Sequence, residues 1–307
     1  MSSTYHPSLD DPNAFVFYRY HPSMGAAVFF ILAFMVTTFL HCWQCVRTRT
    51  WYFIPLILGG FCKHSSTAHP PIGPTADFST PGQWIGYIGR AMSAHDQWAL
   101  GPYMIQSMLL LIAPALFAAS VYMILGRIIL VTDGEKHSVI SKKWLTKIFV
   151  IGDTISLLTQ SGGGGIMAAG SLDSMKLGEK IVIVGLFIQL IFFGFFMYAS
   201  SRFFARIRAS PTARSLDSSL GWEKHFWVLM AVSLLIFVRS VFRVIEYCSG
   251  NNGYLLKHEI FLYLFDACLM LAVMVVFNVV HPSQITNKLG GDYVDTYKMY
   301  LNPTSEV

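Results

Sequence analysis

Six long apolar segments run along the chain, separated by shorter polar stretches that carry most of the charge. They lie near residues 24–45, 102–125, 144–169, 181–201, 225–246 and 259–280. A bilayer core about 30 Å thick is crossed by about 20 apolar residues of helix, at about 1.5 Å each. The pattern therefore predicts an all-α, polytopic membrane protein.

A seventh apolar piece, WYFIPLILGGFC at 51–62, is too short to span on its own. It reaches spanning length when it is joined to QWIGYIGR, across a segment at 63–82 rich in Pro, Ser, Thr and Gly. We expect 63–82 to be an irregular loop in a broken helix buried within the protein, or else an unspliced insertion. The second alternative arises because the codons for its ends can encode splice donor and acceptor sequences.

With the joined piece, the chain is predicted to be a seven-transmembrane helix bundle over 23–283. Residues 1–22 form an extracellular segment and 284–307 a cytosolic tail. With the N-terminus outside and the C-terminus inside, fourteen of the 22 Lys and Arg residues fall on the inner side and six on the outer side. This asymmetry follows the positive-inside rule.

Composition supports an integral, multi-pass membrane protein and argues against nucleic-acid binding. Charged residues make up 13% of the chain, against about 25% in soluble domains. The basic loop SRFFARIRASPTAR at 201–214 is explained by attraction to anionic lipid at the inner membrane surface. Cys42 and Cys45 form a CxxC without the second pair that a zinc site needs, and we expect no metal and no cofactor.

The stretch RSVFRVIEYCSG at 239–250 places Arg239, Arg243 and Glu246 on one face of the sixth predicted crossing. Charge inside a membrane is costly and persists through pairing or by facing a wet cavity. Arg239 lies seven residues below Glu246, and Asp266 lies seven residues beyond Glu259 on the returning crossing, about 10 Å in each case. The sequence therefore predicts an Arg239–Asp266 pair, with Arg243 near Glu246, Glu259 or a lipid phosphate.

The fourth predicted crossing is also polar, because it carries Asp153 and Gln160 before the glycine run at 162–165. Consecutive glycines permit close helix approach or expose backbone groups to a cavity, and helix packing is the favoured interpretation. The GK[ST] sequence of a phosphate-binding loop is absent after these glycines. Gln106 and Gln189 lie on neighbouring crossings, where either could point inward.

Several motifs occur in order along the chain and resemble those of the fungal RTA-like membrane proteins, the lipid-translocating exporter family. They are YRYHPSMGAAVFF near the start, IGYIGR, APALFAASVYMILGRII, GDTISLLTQSGGGG, FVRSVFRVIEYCSGNNG, HEIFLYLFDA and the closing HP at 281–282. The resemblance implies seven membrane helices, no ATP hydrolysis and roles in moving sphingoid bases or other amphiphiles. It also implies resistance to toxic lipid-like compounds.

We therefore expect a non-enzymatic exporter-like protein for amphiphilic lipids, in the plasma membrane or in a vacuolar or other endomembrane. Its partners are membrane lipids and amphiphilic small molecules, and its oligomeric state stays open. A seven-helix receptor or sensor of lipid stress is the alternative, and a membrane-embedded lipid hydrolase is a minor one. The substrate or headgroup candidates are Arg239, Arg243, Glu246, Glu259, Asp266, Gln160, Asp153 and Arg90. The packing candidates are Gly162, Gly163, Gly164 and Gly165.

Overall fold

The computed structural model describes residues 23–48, 100–167, 171–217, 220–249 and 254–284, and these parts of the chain are helical and contain no strand. The long helices are α1 (Met24–Thr48), α2 (Leu100–Val131), α3 (Lys142–Met167), α4 (Leu172–Ala209), α5 (Trp222–Cys248) and α6 (Glu259–Val279). A short 3₁₀ turn, Glu135–His137, lies between α2 and α3, and a four-residue helix, Tyr254–Lys257, precedes α6. The predictions for 1–22, 63–82, Arg90 and 285–307 lie outside the described residues.

Five of the described helices are long and apolar enough to cross a membrane: α1, α2, α4, α5 and α6. Helix α3 has 26 residues, which is sufficient length, but it is not among the five. Helix α3 is less apolar than the others because it carries lysines, Asp153, Gln160 and several glycines. Its Gln160 side chain is buried against another helix. The structure thus supports a polytopic membrane protein, while the seven crossings and the N-out orientation stay predictions.

Contacts at the helix ends show which of the described helices run in the same direction. Thr212, in the α4–α5 connection, donates a hydrogen bond to the carbonyl oxygen of Thr132 at 2.5 Å, so the segments that follow α2 and α4 meet at one end of the bundle. At the other end the backbone N–H of Ser23 donates to both carboxylate oxygens of Glu259, at 2.9 and 3.0 Å. Helices α1 and α6 therefore begin together and run parallel.

The core is shared by all six long helices, and aromatic rings form a large part of it. Its fully buried members include Phe34, Phe117, Phe193, Phe226 and Phe277. The outward faces of the helices are equally apolar: Phe29 of α1, for example, is 62% exposed. A bundle that is apolar inside and outside fits lipid as its surroundings, because a soluble protein would cover most of this surface.

Glycines allow α3 and α4 to approach closely. A Cβ atom on Gly163 would lie 2.7 Å from the carbonyl oxygen of Gly178, and one on Gly178 would lie 2.5 Å from the carbonyl oxygen of Gly163. Real Cβ atoms do not come this near to backbone, so both positions exclude a larger residue. A Cβ at Gly162, Gly164 or Gly165 would meet nothing within 4 Å. The packing role predicted for all four residues is thereby corrected: the contact belongs to Gly163, because one face of α3 meets α4.

Candidate functional site

The ion pair that the spacing predicted between Arg239 and Asp266 is present at the α5–α6 interface. The Nε atom of Arg239 donates to Oδ1 of Asp266, and both side chains are almost fully buried, at 3% and 1% exposed. The Nη2 atom of Arg239 also donates to the carbonyl oxygen of Leu110 on α2, at 2.7 Å. One guanidinium thus connects three helices within the apolar interior.

Asp266 lies in an unusual part of α6. Residues Tyr263–Cys268 form a π-helical segment between α-helical turns Glu259–Leu262 and Leu269–Val279. A π-helical segment widens the helix locally and occurs most often at functional sites. Here it carries Asp266, the acidic residue that neutralises Arg239. Sequence spacing could locate the depth of Asp266 only to within one helical turn.

A second ion pair lies one turn further along α5. Nη1 of Arg243 donates to Oε2 of Glu246 at 2.7 Å, and the two side chains are 7% and 6% exposed. The guanidinium also lies over the ring of Tyr247, 5.5 Å from its centroid, in a cation–π contact. Of the three partners suggested for Arg243, Glu246 is the one the structure shows. Glu259 lies at the exposed start of α6, where it accepts the hydrogen bonds from Ser23.

The four residues Arg239, Asp266, Arg243 and Glu246 form what we call the ionic cluster. It contains two guanidinium and two carboxylate groups, so its formal charge balances. Buried pairs of this kind contribute little net stability, because removing both charges from water offsets their attraction. Such a cluster can instead offer either sign of charge to a ligand, if a headgroup takes the place of one member of a pair.

A separate polar group lies between α2 and α3. The hydroxyl of Tyr122 donates to Oδ2 of Asp153 at 2.9 Å, with both side chains buried. The rings of Phe149, Phe193 and Phe196 pack against Tyr122, with centroids 5.2, 6.1 and 4.6 Å away. Asp153 therefore lies in apolar surroundings, apart from the ionic cluster.

A third polar group occupies the α3–α4 interface. Nε2 of Gln160 donates to Oγ of Ser156 at 2.6 Å and to Oε1 of Gln189 at 3.2 Å, and Ser156 donates to the carbonyl oxygen of Gly185 at 2.6 Å. Both glutamines point inward. Sequence reasoning named Gln160 and Gln189 but missed Ser156 and Tyr122. The spacing of Ser156 and Gln160, four residues apart on one helix face, is a signal that could have found the serine.

Polar contacts also connect α1 to α6. Nε2 of His41 lies 3.0 Å from the carbonyl oxygen of Met274. Nε2 of Gln44 donates to the backbone carbonyl oxygen of Asn278 at 3.0 Å. Just beyond α6, burial lowers the pKa of His281, whose Nδ1 lies 2.9 Å from the hydroxyl of Ser283. Helix α6 ends at Val279, just before the His281–Pro282 pair. None of the described residues forms a group of His, Cys, Asp and Glu that could hold a metal ion.

Comparison with known proteins shows one family along most of the chain. The family model described as RTA1 like protein matches residues 78–289. Protoporphyrin uptake protein 1 of Saccharomyces cerevisiae is 36% identical over 282 residues, covering 87% of this chain and 92% of that protein. Protein RTM1 of the same species is 35% identical over 280 residues, covering 85% of this chain and 89% of that protein.

A more distant relative has a lipid in its name. Sphingoid long-chain base transporter RSB1 of Saccharomyces cerevisiae is 28% identical over 232 residues, covering 64% of this chain and 60% of that protein. No solved structure matches the chain.

Proposed function

Because the chain belongs to the RTA1-like family, we propose that it is an exporter-like membrane protein that moves amphiphilic lipids. The substrate class is sphingoid long-chain bases or toxic lipid-like compounds, and the result is tolerance of them. The proposal includes seven crossings with the N-terminus outside, no catalytic activity and residence in the plasma membrane. Relatives named as an uptake protein and as a sphingoid base transporter support a role in moving amphiphiles.

The observation that carries the proposal is the buried ionic cluster between α5 and α6. A sphingoid base carries an ammonium group, whereas protoporphyrin carries carboxylates, so the names of these two relatives indicate headgroups of opposite charge. What the two compounds share is a charged end on a large apolar body. A cluster that holds guanidinium and carboxylate groups in equal number can pair with either headgroup.

The proposed contact follows from this balance. An ammonium headgroup would replace Arg239 beside Asp266, or Arg243 beside Glu246, while the apolar body stays against the lipid-facing surface. An anionic headgroup would instead take the place of a carboxylate beside Arg239 or Arg243. Each exchange gives the headgroup a counter-ion inside the bundle and releases one member of the original pair, which has to turn toward water or a polar backbone group to avoid the cost of an isolated buried ion.

Reconstitution in liposomes tests the proposal. A fluorescent sphingoid base added outside should reach the inner leaflet faster in liposomes that contain the protein than in protein-free ones. Asp266→Asn should slow this movement at least tenfold. Leu234→Ala is the matched control, because Leu234 lies on α5 but is 53% exposed on the lipid-facing side, and it should leave the rate unchanged. Protoporphyrin is assayed in parallel to show which headgroup charge is preferred.

Two results would contradict the proposal. Folded wild-type protein that accelerates neither compound would exclude transport of these classes and leave the receptor alternative. If folded Asp266→Asn moved the sphingoid base at the wild-type rate, the ionic cluster would not contact the substrate during transport.

A further inference from the structure

Asp153 differs from the other buried carboxylates in having no basic partner within the described part of the chain. Asp266 and Glu246 each accept a hydrogen bond from an arginine. Asp153 accepts one bond, from the neutral hydroxyl of Tyr122, and its Oδ1 atom is buried without a hydrogen-bond partner. The side chain as a whole is 4% exposed.

The groups that face Asp153 from the adjoining helices are apolar or neutral. Helix α2 contributes Tyr122, the one titratable side chain in the described residues that interacts with Asp153. Helix α4 contributes phenyl rings: Phe193 packs on Tyr122, and Phe192 lies against the backbone beside Asp153, at Gly152. A carboxylate in such surroundings lacks a counter-ion, and binding a proton removes the uncompensated charge.

The depth of Asp153 in the bundle is that expected of a coupling site. It lies eleven residues from the start of α3 at Lys142, which corresponds to about 17 Å of helix and hence to the middle of a bilayer core. Ionisable residues at such depth mark ion or proton pathways more often than structural contacts.

A line of buried polar side chains leads away from Asp153 along the same face of α3. Ser156 and Gln160 lie three and seven residues further on, and Gln160 is hydrogen-bonded to Gln189 of α4. These three residues are 0%, 1% and 7% exposed. The line runs from Asp153 toward the C-terminal end of α3, which is the predicted outer end, and it reaches as far as Gln160 and Gln189.

We propose that Asp153 is a proton-binding site that couples amphiphile movement to a proton gradient. This inference rests on the transport function proposed above and supplies its driving force. One proton adds to the carboxylate of Asp153 from the aqueous phase on one side, forming the neutral acid, and leaves to the other side when the carboxylate re-forms. No oxidation and no other group transfer is involved, and the hydroxyl of Tyr122 orients the carboxyl group in both states.

The experiment uses full-length protein in liposomes and a fluorescent sphingoid base whose nitrogen is trimethylated. This permanent cation cannot be trapped as a weak base, so a pH gradient acts on it only through the protein. The membrane potential is held at zero with potassium and an ionophore. A gradient of about one pH unit should support roughly tenfold accumulation for a coupling of one proton per amphiphile. Antiport accumulates the probe on the acidic side, and symport on the alkaline side.

Asp153→Asn should reduce the accumulation to about onefold, and Asp153→Glu should restore it in part. An accumulation that stays near tenfold in Asp153→Asn would overturn the inference. So would wild-type protein that moves the probe without responding to the gradient, in which case the transport function stands and the coupling fails. Wild-type protein that does not move the probe under any gradient would reject both.

Infrared spectroscopy of the purified protein gives a readout that needs no transport. The carbonyl stretch of protonated carboxylic acids should grow as the pH is lowered in both proteins, and the band of one buried acid should be present in wild type and missing from Asp153→Asn when the two spectra are subtracted. A spectrum that is identical in the two proteins would show that Asp153 does not bind the proton, whether or not the variant remains active.

Discussion

The Arg239–Asp266 pair yields the most informative perturbation, because both side chains are at least 97% buried. Asp266→Asn leaves the guanidinium of Arg239 buried without the carboxylate that neutralises it. Breaking a buried pair from one side costs about 3 to 5 kcal/mol of folding stability. Arg239→Met likewise leaves the carboxylate of Asp266 buried without its arginine partner, and we expect a loss of folding stability in the same range.

The double variant Arg239→Met, Asp266→Leu removes both charges and fills the space with apolar atoms. Since apolar replacement of a buried pair is often neutral or stabilising, it should be far more stable than the sum of the single changes implies. Denaturant unfolding of the purified proteins in detergent measures the change in unfolding free energy for the two single variants and the double variant. Additive losses would refute the claim that these two residues are coupled as a buried pair.

The same three proteins separate a structural clamp from a substrate contact, which sequence reasoning left open. If the pair only holds α5 to α6, the stable double variant should move the fluorescent sphingoid base at the wild-type rate. If the pair meets the headgroup, the double variant should be stable and inactive. We expect the second result.

Three further predictions concern other contacts. Gly163→Ala should destabilise the protein by about 1 to 3 kcal/mol, because the added Cβ would meet the backbone of α4 at 2.7 Å. Gly164→Ala should stabilise the protein by up to about 1 kcal/mol, because a Cβ there meets open space and alanine favours the helix. Thermal unfolding of the two variants compares these effects. Tyr122→Phe should cost about 1 to 3 kcal/mol by removing the donor to Asp153, and the cost should shrink on acidification in urea titrations. Glu259→Gln should cost less than about 1 kcal/mol in the same assay, because the site is exposed.

Opposite results would be decisive for each contact. Equal effects of the two glycine substitutions would show that α3 and α4 do not approach at Gly163. A cost of Tyr122→Phe that is independent of pH would indicate that Asp153 does not change its charge over the range tested. A large loss in Glu259→Gln would mean that this carboxylate holds more of the structure than the start of α1.

The apolar pattern along the chain predicted the described helices, and the resemblance of its motifs predicted the family. Hydrophobic length determines where a helix can span, and the motifs that resemble the RTA-like family are local in sequence. The Arg239–Asp266 pair was also predictable, because Glu246 and Glu259 were placed near the same interface and each partner lies seven residues deeper on its antiparallel helix. Local spacing was sufficient for this pair because charged residues near one interface supplied a reference depth on both helices.

Contacts that depend on how each helix is rotated about its axis were decided by the tertiary structure alone. Which of four glycines meets α4, and that Asp153 pairs with Tyr122 in place of an arginine, depend on the rotation of each helix about its axis. That rotation is set by side-chain packing over the whole bundle, and the periodicity of one helix does not contain it. The π-helical segment around Asp266 was likewise not predicted, since its residues read as an ordinary apolar helix.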